Sequence, residues 1–248
     1  MTRGLILAAA ALGALSLAAC NRTATDDKAF GDRVHAYILA HPEVIQEAAQ
    51  KLQEKEAGAA NVALANAVKD LPKYRAAIER DPRDYVANTA GKYTVTEFYD
   101  YRCPHCANAA PRVLALIHDN PDVRFVFKEM PIFGATSEHA ARAALAVKKD
   151  GGDYLGVYQA FMTARPLDDD AIDRIAQQKG AKALTLISGD EADAANAQIA
   201  DVTKLFNQLA LGGTPAFIVG DQIIPGEDVD AVREEINKLR GRGAAPAA

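Results

Sequence analysis

The 248-residue sequence has no tryptophan, three methionines and three cysteines, and aromatic residues make up only 6% of it. So few thiols exclude a small scaffold held together by disulfides. Charge of one sign is also lacking: 28 Lys and Arg stand against 33 Asp and Glu, a formal net charge of −5. That balance leaves no electrostatic footprint for nucleic acid, which is not expected as a partner. What is present is ordinary globular chemistry, 49% hydrophobic and 25% charged, which excludes a disordered chain. Alanine is abundant, so helix should dominate.

The first twenty residues read as an address. Arg3 precedes an uncharged, almost wholly apolar run from Gly4 to Ala19, too short to span a bilayer comfortably and ordered like a secretory signal. Leu17-Ala18-Ala19-Cys20 resembles the bacterial lipobox, in which the cysteine is lipidated and becomes the mature N-terminus. The alternative is a small-residue cleavage site beside an incidental Cys20. Either way residues 1–19 are a signal peptide and the mature protein faces the periplasm of a bacterial envelope; with lipidation it is tied to the membrane by the Cys20 lipid alone. Lipidation leaves Cys103 and Cys106 as one pair in a compartment where disulfides form and persist.

Beyond a polar tether from Asn21 to Lys28, residues 27–80 read as an N-terminal helical arm. Phe30, Val34 and Ile38 recur at helical spacing, Pro42 is placed to open a second helix, and Ile45, Ala48 and Leu52 continue the stripe. The stripe breaks at Lys55, too short for a confident coiled coil. Ala57–Lys69 reads as helix or connector, with a further short helix from Pro72 to Arg80. Residues 27–70 are thus a possible homo-oligomerisation element. From Asp81-Pro82 the pattern changes. Tyr93–Tyr101 and Val123–Phe127 read as strands, Ala216–Val219 and Gln222–Ile224 as a hairpin turning at Gly220-Asp221. Between the second strand and the hairpin lies a block of helices, at about residues 136–211, longer than an ordinary connection. A closing helix runs from Asp228 to Leu239. Residues 81–240 therefore read as an α/β domain carrying a helical insertion.

The chemistry lies in Cys103-Pro104-His105-Cys106, at a strand-to-helix junction. Cys103 falls where unpaired N–H groups and the helix dipole favour a thiolate. Pro104 fits the first helical turn, and His105 adds a donor beside the sulfur. Cys106, one turn in, is close enough to resolve a mixed disulfide and should be the more buried thiol. A structural zinc site would want a second cysteine pair, and a four-residue loop gains little from a structural disulfide. Copper(I) bound by the two thiolates without redox turnover is the alternative function. No cofactor is required. Thr214-Pro215 directly precedes a strand, where proline is out of place without a purpose; beside a C-x-x-C a cis bond is the favoured reading.

Glu97-Phe-Tyr-Asp-Tyr-Arg-Cys103-Pro-His-Cys106 resembles the active-site segment of the DsbA family of envelope thiol-disulfide oxidoreductases, and Gly213-Thr-Pro215-Ala-Phe its cis-proline segment. The likeness covers about Tyr85 to Leu239 and implies a thioredoxin-like fold with an inserted helical domain. The arm, through Ala40-His-Pro-Glu-Val-Ile45, resembles the leader of ScsC-like members, where such an arm can mediate oligomerisation. The resemblance implies that Cys103 is the nucleophile, Cys106 the resolving thiol, His105 a tuner and Pro215 the cis residue. It further implies that Glu97 is buried near the inner cysteine as a proton relay. Lys128 is positioned to pair with Glu97 or to be solvated. The implied partners are unfolded or misoxidised envelope proteins with cysteines, and a membrane redox partner that re-oxidises or reduces the site. Pro-His between the cysteines suits an oxidase. Thr214 and the arm suit an isomerase.

Overall fold

The computed structural model describes residues 24–182 and 190–243. The expected signal peptide, the lipidated Cys20 and the tether up to Thr23 lie outside the described residues. The chain divides into two units between Ala59 and Ala60. The first holds α1 (Ala24–Ala40) and the opening turns of α2 (Glu43–Glu79), which begins just after Pro42. Phe30, Val34, Tyr37, Leu39, Ile45 and Leu52 are exposed along it.

The second unit starts inside α2, and here the sequence reading needs correction. Of the two readings of Ala57–Lys69, helix is the one seen, and in place of a separate helix at Pro72 one helix runs from Glu43 to Glu79 with Gly58 and Pro72 inside it. Proline forfeits an i→i−4 hydrogen bond, and burial of Ala67, Leu71 and Ile78 in a core with Phe98, Phe206 and Ile218 offsets the loss. The arm expected over 27–80 is therefore shorter in packing terms, because its final turns belong to the unit that carries the cysteines.

That unit is an α/β sandwich. Strands β1 (Tyr85–Ala87), β2 (Tyr93–Tyr99), β3 (Val123–Glu129), β4 (Ala216–Val219) and β5 (Gln222–Pro225) form one sheet in the order β1-β3-β2-β4-β5. β2 and β3 are parallel, joined through α3 (Pro104–Asp119), and every other pairing is antiparallel. The short edge strand β1 was not expected; three residues carry no readable period. The expected helical block is present between β3 and β4 as α4 (Ala135–Lys149), α5 (Tyr154–Thr163), α6 (Asp169–Gln178) and α7 (Asp190–Gln208), and α8 (Val229–Gly243) closes the chain. Asp153 and Asp168 cap α5 and α6, accepting from Gly156 and Ala171 N–H at 2.9 Å.

Alternation splits the sheet into two cores. Val95, Tyr99, Phe125, Phe127 and Phe217 point to the side packed with Ala109, Val113, Tyr158, Phe161 and Ile236. Phe98, Ala216 and Ile218 point to the other, with the end of α2 and with Val202, Leu205 and Phe206 of α7.

Candidate active site

β2 ends at Tyr99, and after a short turn Cys103 occupies the cap position of α3 with extended backbone, φ −71° and ψ 121°. Pro104 stands in the first helical turn, where its missing N–H has no partner to serve. Both cysteines are free thiols. Cys103 is 2% exposed and Cys106 0%, so exposure does not separate them as the sequence suggested. Donors do. The Cys106 S–H is the largest influence on Cys103; the Thr214 side chain and the backbone N–H groups of Cys106 and His105 add to it. Together they outweigh burial and lower Cys103 from an ordinary 9.0 to about 5. Burial, followed by the same S–H donation, pushes the Cys106 thiol far up, and the charge of Glu97 adds to this.

The Thr214–Pro215 peptide is cis, and both residues are buried. As a thiol, Cys103 donates to the Thr214 carbonyl oxygen at 3.1 Å. The Thr214 hydroxyl is buried without another partner, which leaves it available to the thiolate. His105 is exposed, and its ring Nδ1 lies 3.5 Å from Glu227 Oε2. Its N–H, not its ring, is the group that favours the Cys103 thiolate, a different part from the one expected of it.

Glu97 is 3% exposed. Its two carboxyl oxygens each accept from the Tyr158 hydroxyl at 3.2 Å, and burial raises it from 4.5 to about 8 despite that bond. The pairing considered between Glu97 and Lys128 is absent, as is the solvated alternative. Glu97 stands in register with Phe127, and Lys128 with Phe98, so sheet alternation puts the two charges on opposite faces. Lys128 is instead buried with Asp84, Nζ to Oδ2 2.5 Å, and donates to the Ala77 carbonyl at 2.6 Å.

Two features were not foreseen. The first is a buried polar chain. Tyr99 hydroxyl lies 2.9 Å from that of Tyr101 and 2.7 Å from that of Tyr154, and Tyr154 donates to Glu129. Burial raises Glu129 to about 7. The second is Asp100, buried and accepting the Arg102 N–H at 2.7 Å. The short Asp-x-Arg spacing could have signalled that turn; nothing local points to Tyr158 or Glu129.

Residues 94–237, more than half the chain, match the family described as DSBA-like thioredoxin domain. The chain belongs to that family. DsbA-family proteins are thiol-disulfide oxidoreductases, and so is this one. Residues 26–59 match the copper resistance protein ScsC N-terminal domain. A thioredoxin-like oxidoreductase from Silicibacter pomeroyi is 34% identical with a TM-score of 0.61, over 67% of this chain and 98% of its own. ScsC of Proteus mirabilis, in a transitional conformation, is 25% identical with a TM-score of 0.65, over 89% and 99%. The thiol:disulfide interchange protein DsbA of Bordetella pertussis is 27% identical over 164 residues, covering 62% of this chain and 78% of the relative. A 75-residue segment is 36% identical to a Na(+)/H(+) antiporter of Salinispora tropica, covering 29% of this chain and 12% of the antiporter. Among the described residues of this DsbA-family chain, no helix is long and apolar enough to cross a membrane.

Proposed function

We propose that this protein exchanges disulfides with cysteine-containing envelope proteins through Cys103 and Cys106, as an isomerase rather than a dedicated oxidase. The observation that carries the assignment of roles is the opposite displacement of the two thiols, Cys103 down to about 5 and Cys106 upward. At neutral pH Cys103 is the thiolate that attacks a substrate disulfide, forming a mixed disulfide and releasing the substrate's other sulfur. Cys106 then attacks Cys103 Sγ, its proton leaves, and the substrate departs as a thiol. In the reverse direction Cys106 is the leaving sulfur, and the protonated Glu97 carboxyl supplies its proton. The backbone at Thr214-Pro215 offers a place for an extended substrate segment beside Cys103.

The isomerase reading is supported by the apolar stripe of the first unit and its match to the ScsC N-terminal domain. A helix cannot bury such a stripe alone; arms gathered from several subunits would, and would present several thiols to one substrate at high effective concentration. In this reading Cys20 carries the lipid anchor on the periplasmic side, and a membrane redox partner keeps the dithiol in its working state. The copper alternative has less support, because no group of three or more His, Cys, Asp or Glu suited to a metal occurs among the described residues.

The test is recovery of activity from a scrambled-disulfide protein, alongside reduction of insulin, by the wild type and Cys103→Ser. Wild type should do both and the variant neither. Oxidation of a reduced substrate without recovery of the scrambled one would replace isomerase by oxidase.

A further inference from the structure

Glu97 stands on β2 where the sheet offers its side chain nothing polar. Its register partners are Phe127 on β3 and Phe217 on β4, and Val113 of α3 with Val232 and Ile236 of α8 belongs to the same core. A carboxylate buried in such surroundings needs donors, and leaving it without one is costly. Among the described residues a single donor reaches it: the Tyr158 hydroxyl, 3.2 Å from both carboxyl oxygens. That hydroxyl has no other hydrogen-bond partner among them.

Tyr158 comes from α5, in the helical insertion. Tyr154, Tyr158 and Phe161 recur at helical spacing and are all buried. The Tyr158 ring stands edge to face against Phe127 and Tyr99, with centroids 5.1 and 5.2 Å away, and this packing fixes where its hydroxyl points. Few titratable groups share the space. Cys106 and Tyr101 feel the charge of Glu97, and Tyr158 feels both that charge and the charge of Cys106. Glu129, on the same face of β3, is held by Tyr154, and Lys128 points into the opposite core. The inner thiol, the carboxyl and the phenol therefore form one dry group.

We propose that Tyr158 is a positioning residue for the inner-thiol proton step: the insertion supplies the hydroxyl that lets Glu97 exist as a carboxylate ready for the Cys106 proton. This deepens the disulfide-exchange reading above and rests on it. In resolution the Cys106 S–H gives its proton to Glu97, and the electron pair left on sulfur forms the bond to Cys103 Sγ. The substrate sulfur keeps the electrons of the broken bond and leaves as a thiolate, which water protonates. The Tyr158 hydroxyl serves both states of Glu97, donating to the carboxylate and accepting from the acid. Phenylalanine offers neither, so the acid form of Glu97 would dominate to higher pH. A hydrogen bond to a charged group is strong enough to move that balance by about one pH unit.

The test uses the full lipid-free chain in its reduced form, with oxidised glutathione as the probe. Acid quenching and mass spectrometry separate the glutathione adduct on Cys103 from the Cys103–Cys106 disulfide, so the rate of resolution is read directly from pH 5 to 10. In wild type that rate should rise with pH as Glu97 ionises. Tyr158→Phe should move the midpoint of the rise up by about one pH unit and slow resolution at pH 7 about tenfold. In a Glu97→Gln background the rise should be gone and Tyr158→Phe should change little, because the two residues act as a unit. A Tyr158→Phe profile with the wild-type midpoint, even at a uniformly lower rate, would make Tyr158 merely structural and overturn the proposal. So would a Glu97→Gln profile identical to wild type. Should Tyr158→Phe fail to fold, 3-fluorotyrosine placed at position 158 alone decides the matter: a more acidic phenol should lower the midpoint, and an unmoved midpoint overturns the proposal. If wild type forms no adduct with oxidised glutathione at any pH, the exchange reading itself falls.

Discussion

The hydrogen bonds that favour the Cys103 thiolate exist only in the folded, reduced protein, so its ionisation is a stability effect as well as a kinetic one. Its folded value, about 5, lies below the ordinary 9.0. The stabilisation is therefore complete above pH 9 and lost as pH falls through 5. Urea denaturation at pH 8 should find the reduced protein more stable than the disulfide form, with the gap narrowing toward pH 5; a more stable disulfide form at pH 8 would contradict the tuning. Iodoacetamide at pH 6 should label Cys103 well before Cys106. Glu97 behaves in the opposite sense. Its folded value, about 8, is above the ordinary 4.5, so its contribution is present below pH 4.5 and drains away as pH rises through 8. Glu97→Gln should therefore gain on wild type across that window, by on the order of a few kcal/mol, in urea titrations at stepped pH. The C-x-x-C chemistry was legible because helix start, proline and second thiol lie within four residues. Tyr158, which holds Glu97, is 61 positions away and left no trace in the local pattern.

Among the elements, β3 shows most clearly how a sheet overrules a plausible pairing. Glu97 and Lys128 are a reasonable couple on paper, yet parallel register assigns them to different cores. Lys128→Met would strand Asp84 in the interior and should cost about 3–5 kcal/mol, whereas adding Asp84→Leu should recover most of it; denaturant midpoints of the three proteins would measure this. α2 makes a second case. Its Gly58, Lys55 and Pro72 argue for interruption, but the buried face at Ala67, Leu71 and Ile78 decides for continuity, a tertiary gain that no local propensity encodes. Leu71→Ala should destabilise the cysteine-bearing unit by about 2–5 kcal/mol. The insertion was readable as a helical block too long for an ordinary connection, and β1 was too short to be read.

For the whole molecule, the apolar stripe of the first unit needs a cover, since Phe30 is 62% exposed and Leu52 56%. Sedimentation of the lipid-free protein should give an oligomer, and removal of residues 24–59 should give a monomer that keeps its melting temperature. A cut extending to residue 80 should fail to fold, because it also removes Leu71 and Ile78 from the core. A full-length monomer at micromolar concentration would end the hub idea and leave an oxidase. The buried tyrosine cluster has a use at this scale too. With no tryptophan, the ultraviolet emission is dominated by eight tyrosines. Tyr154 and Tyr158 donate their phenolic hydrogens to carboxyl groups, a contact that quenches the excited ring. Tyr158 reports on Glu97, beside the inner sulfur, and Tyr154 on Glu129. Tyrosine emission should therefore change as Glu97 and Glu129 ionise, a label-free optical gauge of protonation behind the dithiol.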